Sequence, residues 1–326
     1  MKTLPISLFV AALAVGCGPG YAPSANNGED AALVEDGGAD AGSDDAGADA
    51  DGTPDGDAEA GRDAEAGSDG GGGDGGDGGG DEDTGPTTCV PNHDGVVERS
   101  EVTLQPGLHA TFKVAEDVEI DTQGTEQDDG SRVWDLSGDL PGDRRVLVEL
   151  RSAEGTWFKP QFPDLTYVSE LSGAGDKIGV FGVDDQGLYM QGIVSADDGF
   201  DRTELQYDPP AQILQFPIEQ GTSWQSESEV SGRFEGSSLN GSGTTETYSS
   251  QVDAHGTMKT PFGDFEVLRV RTVLDRDSVW AWWASTTLIT YTFVAECFGT
   301  VATIRSEEGE DDPEFSRASE VRRLAQ

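Results

Sequence analysis

The sequence predicts an all-β protein, either an antiparallel β-sandwich or a curved antiparallel sheet, preceded by a signal peptide and a disordered acidic linker. Three observations predict the β class. Beyond Cys89 the apolar residues recur with a period of two over short runs. Thr, Val, Tyr, Trp and Phe are frequent there, and all six Trp lie beyond Cys89; these side chains suit a half-buried pleated surface. Compact turn signals separate the runs: Pro141-Gly142-Asp143, Asp184 to Gly187, Asp197-Asp198-Gly199, Asp208-Pro209-Pro210 and Pro261 to Asp264. No segment keeps the three-and-four apolar spacing of a helix over three turns.

The first element, residues 1–16, carries Lys2 ahead of a short apolar core from Leu8 to Gly16. This is secretory signal logic, and the core falls short of the ~20 apolar residues that a spanning helix needs. Ala14-Val15-Gly16-Cys17 resembles the lipobox of bacterial lipoproteins, although Leu is commoner than Ala three residues before the Cys. The resemblance implies that Cys17 becomes the first mature residue, acylated with fatty chains such as palmitate and held in a membrane. Each buried CH₂ of such chains contributes roughly 0.8 kcal/mol. Gly18 follows, where Asp would favour inner-membrane retention, so the resemblance points to the outer membrane, facing the periplasm or the cell surface.

The second element is residues 17–88. From Ser24 to Pro86 the chain is mostly Ala, Gly, Asp, Glu and Ser, with 20 acidic residues against one base, Arg62. Such a stretch buries too little apolar surface to offset the entropy of ordering and is expected to be disordered, extended by its own charge. The Gly71 to Asp77 run has the look of a calcium-binding Gly/Asp repeat, but it lacks the large apolar residue each repeat requires. A solvated spacer is the expectation, with weak diffuse cation binding as the alternative.

The third element, residues 89–326, is expected to be a single β-rich domain. Arg145 to Leu150 alternates, with Val146, Val148 and Leu150 on one face. Glu266 to Leu274 places Leu268, Val270 and Leu274 on one face, with Arg269 and Arg271 on the other. Thr290 to Phe293 and Thr300 to Ile304 continue the period of two. Ala318 to Leu324 reads equally as a short helix or a last strand. Net charge for the chain is −43, which excludes nucleic acid and disfavours anionic lipid headgroups as partners.

With Cys17 acylated, Cys89 and Cys297 remain. An isolated pair in an oxidising compartment is expected to be bridged, which would staple the entry of the domain to its late strands. Asn92 to Glu101 resembles the back half of an EF-hand loop. Asn92, Asp94 and Glu101 would be the calcium ligands and Gly95 the turn, but Val90 stands where the first carboxylate belongs. The competing reading is an Asx turn leading into a strand, and no other cofactor is expected. Trp280 and Trp282 share one strand face and would stack on sugar rings if exposed, or fill the core if buried. His93, His109 and His255 form no metal-spaced pair, and no Gly-x-Ser-x-Gly elbow is present.

Arg132 to Ser137, Leu214 to Trp224 and Gly256 to Val270 resemble phrases of uncharacterised secreted β-rich proteins and surface lipoproteins of Gram-negative bacteria. The resemblance implies location and β architecture and carries over no catalytic residue. Trp134 and Trp224 read as core fillers. The functional expectation is a membrane-anchored envelope lipoprotein, not an enzyme, with a binding or structural role toward glycan, lipid or another envelope protein. The alternatives are a periplasmic lipid or lipoprotein carrier built on a curved sheet, and a secreted hydrolase acting on glycan.

Overall fold

The computed structural model describes residues 89–171, 176–238, 244–278 and 286–326. The strands in chain order are β1 (Val96–Val97), β2 (His109–Glu119), β3 (Thr125–Glu126), β4 (Arg132–Asp135), β5 (Arg144–Glu149), β6 (Tyr167–Glu170), β7 (Ile178–Val183), β8 (Gly187–Val194) and β9 (Glu204–Gln215). They continue with β10 (Ile218–Glu219), β11 (Ser223–Phe234), β12 (Ser237–Ser238), β13 (Thr244–Lys259), β14 (Asp264–Ser278), β15 (Thr286–Ala295), β16 (Gly299–Ser306) and β17 (Arg317–Ala325). Two single 3-10 turns complete the list, and no α-helix occurs among the described residues.

One sheet takes up nearly every strand, in the order β5-β2-β17-β16-β15-β14-β13-β11-β9-β8-β7-β6. Its two ends meet at Arg151 and Val168, which exchange backbone hydrogen bonds of 2.8 and 2.9 Å. The sheet is therefore nearly closed into a barrel. A two-layer sandwich, one of the two expected architectures, is not what forms. Long antiparallel strands, twisted as sheets ordinarily are, curl one sheet onto itself, which leaves few free edges. The ambiguous Ala318 to Leu324 run is the strand β17, paired with β16 on one side and β2 on the other.

Register identifies the inner face. Leu268, Val270 and Leu274 of β14 cluster with Tyr167, Phe181, Leu188 and Leu205, which belong to strands far along the sheet; only an enclosed face brings them together. That face is not wholly apolar. Arg276 pairs with Glu246 at 2.8 Å and Arg322 with Glu320 at 2.7 Å, all four carrying side chains at most 13 % exposed. Tyr248 donates to Glu246 at 2.5 Å, and Ser250 meets Thr272 at 2.9 Å.

The outward face of β14 to β17 is covered too. Phe293, Tyr291, Val321 and Met258 pack with Trp134 and Phe315 in a second cluster, and Trp134 is 2 % exposed. Arg269, on the face opposite Leu268, Val270 and Leu274 as alternation predicts, is buried in this outer layer. Trp224 closes against the inner cluster.

β13 is long enough to serve two neighbours. Its first part, through Gln251, pairs with β11. A bulge between Val252 and Ala254 shifts the register, and from Gly256 onward the strand pairs in parallel with β4. The fork that results is the place where the N-terminal segment docks.

Candidate functional site

The site is a cavity of about 380 Å³ at this fork, lined among others by His93, Asp129, His255, Glu266 and Glu296. These five residues come from five separate parts of the chain.

His93 arrives through the N-terminal segment. Cys89 is bonded to Cys297, and the backbone N–H of Cys297 donates to the Glu101 carbonyl at 3.0 Å. Glu296 Oε2 accepts from the backbone N–H groups of Asn92 and His93 at 2.7 and 3.0 Å. The chain then turns sharply: His93 has φ 58° and Gly95 φ 79°. β1 follows, pairing Val96 with Glu219 and Val97 with Ile218 of β10. The His93 ring lies 2.6 Å from Glu266 Oε2, nitrogen Nδ1 to oxygen. That hydrogen bond, reinforced by the carboxylate charges of Glu266 and Glu296, raises the imidazole pKa above its ordinary value.

Asp129 sits in the turn from Gln127 to Ser131, closed by backbone hydrogen bonds of 2.8 and 3.0 Å. Its Oδ1 accepts from the Ser131 hydroxyl at 2.7 Å and the Ser131 backbone N–H at 2.9 Å. These bonds favour the ionised form and hold its pKa below the usual value. His255 follows the β13 bulge, and its Nδ1 is buried with no hydrogen-bond partner. Its neighbour Gly256 has φ 155°, and a Cβ there would stand 1.9 Å from the Arg132 carbonyl oxygen. Val97, Leu268 and Val294 supply apolar wall.

The residues singled out from sequence fall differently. Asn92 Oδ1 accepts from the Asp94 backbone N–H, and Asp94 Oδ1 from that of Val96, both at 2.9 Å; these are the Asx turns that lead into β1. Glu101 turns away from them. Its Oε2 accepts from the Glu98 backbone N–H at 2.8 Å, capping a 3-10 turn, and burial raises its pKa. Among the described residues no group of three or more His, Cys, Asp or Glu is arranged to hold a metal ion. Cys17, Trp280 and Trp282 lie outside the described residues.

Sequence reasoning passed over this cavity because residues 93, 129, 255, 266 and 296 have no common spacing. The usable signal was scarcity: two of only three histidines line it.

No family model and no curated protein matches the chain. Two solved structures resemble it. One, from Bacteroides fragilis, is provisionally named an exported protein with a YmcC-like fold. It is 10% identical, with 73% of this chain and 98% of that one covered at a TM-score of 0.31. The other, from Parabacteroides distasonis, is provisionally named a lipoprotein. It is 10% identical, with 68% and 97% covered at a TM-score of 0.30. Likeness at this level carries no argument for the chain.

Proposed function

We propose that this chain is an exported, lipid-anchored envelope protein whose barrel has a non-catalytic binding role, with the cavity at the β13 fork as its ligand site. The observation that carries the anchored reading is the setting of Cys17, a thiol directly behind a charged start and a short apolar core. The Cys89–Cys297 bond agrees with it, since an isolated bridge persists in an oxidising compartment. The acidic stretch between them would hold the barrel away from the outer membrane as a solvated spacer.

A binding role fits the chemistry of the cavity better than hydrolysis does. Glycan hydrolysis needs one carboxyl that keeps its proton. Of the carboxyls lining the cavity, Asp129 is held ionised by its hydrogen bonds from Ser131. The lipid-carrier alternative gains nothing from an inner face that buries two ion pairs.

Expression of the full chain in a Gram-negative host tests the anchor. Mass spectrometry should find an acylated peptide beginning at Cys17, and Cys17→Ser should move the protein from the membrane to the soluble fraction. An unmodified amino-terminal peptide from membrane-free medium would end the proposal.

A further inference from the structure

We propose that the outer face of β7 to β9 carries a second ligand site, one that takes a neutral sugar ring of a glycan. It shares no lining residue with the cavity at the β13 fork and depends neither on that cavity nor on the lipid anchor.

Alternation along β8 sets the floor of the site. Leu188 and Met190 belong to the inner cluster, so Gly187, Tyr189 and Gln191 point outward. β7 pairs Gly182 with Tyr189, and β9 pairs Gln212 with it on the other side. The two glycines let the larger side chains lie along the sheet instead of standing off it. A Cβ on Gly187 would be 3.2 Å from Tyr189 Cζ and 2.7 Å from Gln212 Nε2, and one on Gly182 would be 2.4 Å from Gln191 Nε2. Both amides are held down as well. Gln191 Nε2 donates to the Asp164 carbonyl and Gln212 Nε2 to the Gln186 carbonyl, each at 3.2 Å. The result is an aromatic ring between two amides, all three half-buried. Tyr189 and Gln191 line a groove of about 440 Å³, with Pro209 and Pro210 as its apolar side; the volume is in the range of small-ligand sites.

That surface matches a sugar ring. A pyranose has an apolar C–H face, which packs on the negative face of an aromatic ring, and a girdle of hydroxyls, each both donor and acceptor. The side-chain oxygens of Gln191 and Gln212 accept no hydrogen bond among the described residues, and each amide has a second N–H. Both kinds of partner therefore lie beside the ring. Other ligands fit less well. A phosphate or an acidic sugar would meet the carboxylates of Asp164 and Asp184 on a chain of net charge −43. A proline-rich peptide would stack on the ring but brings carbonyl acceptors to a lining that holds those two carboxylates.

Titration calorimetry on the full mature chain in a sugar-free zwitterionic detergent tests this, with cellotetraose, maltotetraose and N-acetylchitotetraose as probes. Saturable binding of at least one is expected. Tyr189→Ala should weaken it roughly tenfold or more, whereas Tyr189→Phe, which keeps the ring, should change it by less than about threefold. Gly182→Ala, which displaces the Gln191 amide from its seat, should weaken it roughly threefold. Thermal unfolding checks that each variant remains folded. A reading that needs no variant is NMR, in which the Tyr189 ring protons should shift along the binding curve. No saturable binding of any of the three sugars overturns the proposal. So does binding that Tyr189→Ala leaves unchanged, since the sugar would then sit elsewhere on the barrel. Binding of decaproline that is lost in Tyr189→Ala, with no response to the sugars, overturns the sugar and assigns the face to a proline-rich partner.

Discussion

Arg269 carries more structure than its place in the sequence suggests. Alternation assigned it to the face opposite Leu268, Val270 and Leu274, and it does lie there, with its side chain 5% exposed. Asp253 holds it at 2.8 and 3.1 Å, and the Thr122 carbonyl accepts from it at 2.6 Å. The guanidinium sits 4.4 Å from the Tyr291 ring centre and 5.5 Å from that of Trp134. Removing one partner of a buried pair strands the other charge, so Arg269→Met should cost about 3 kcal/mol in urea unfolding; a loss below about 1 kcal/mol would show Asp253 to be solvated. His93 gives a pH-dependent prediction. Its folded pKa is raised above 6.5 by Glu266, so its contact contributes in full below that value and is lost as pH rises through the folded pKa. His93→Asn should therefore lower the melting temperature at pH 6 and have little effect at pH 9; an equal effect at both would remove the ion pair as the cause. Neither residue's role was legible in sequence, because a two-residue period says which face a side chain takes but not what covers that face.

At the scale of elements, alternation located the strands well. Arg145 to Leu150, Glu266 to Leu274, Thr290 to Phe293 and Thr300 to Ile304 all fall on β5, β14, β15 and β16 or their immediate ends. The last strand was ambiguous for a physical reason. Glu320, Arg322 and Arg323 look like solvent-facing charges, but β17 is buried on both faces. Glu320 and Arg322 pair inside, while Arg323, 0 % exposed, donates to the Leu136 and Gly138 carbonyls and to Asp143 across the outer layer. Such a strand loses the polar-out, apolar-in pattern. The parallel seam of β4 on β13 had no sequence signal, and Gly256 is its requirement. Gly256→Ala should destabilise the fold by about 1–3 kcal/mol and shift Trp fluorescence to the red as Trp134 loses its cover. A melting temperature equal to that of the unaltered protein would show that β4 accommodates a methyl group.

For the molecule as a whole, the Cys89–Cys297 bond closes a loop with a sequence separation of 208. In the chain-entropy model, replacing both with Ser should cost about 5 kcal/mol, read as a drop in melting temperature that reductant reproduces in the unaltered protein and not in the variant. A reductant-insensitive melting curve would show the bond to be unimportant for stability. Composition and periodicity were enough to establish the β class, the acidic stretch as a separate compositional region, and the cysteine pair, because each depends on which residues are near one another along the chain. Closure of one sheet at Arg151 and Val168, the charged pairs inside it, and the meeting of His93, Asp129, His255, Glu266 and Glu296 at the β13 fork were decided in three dimensions. The closure joins residues 17 positions apart and the His93–Glu296 hydrogen bond residues 203 apart, and their partners are set by strand order and the β13 bulge, which leave no local pattern to read.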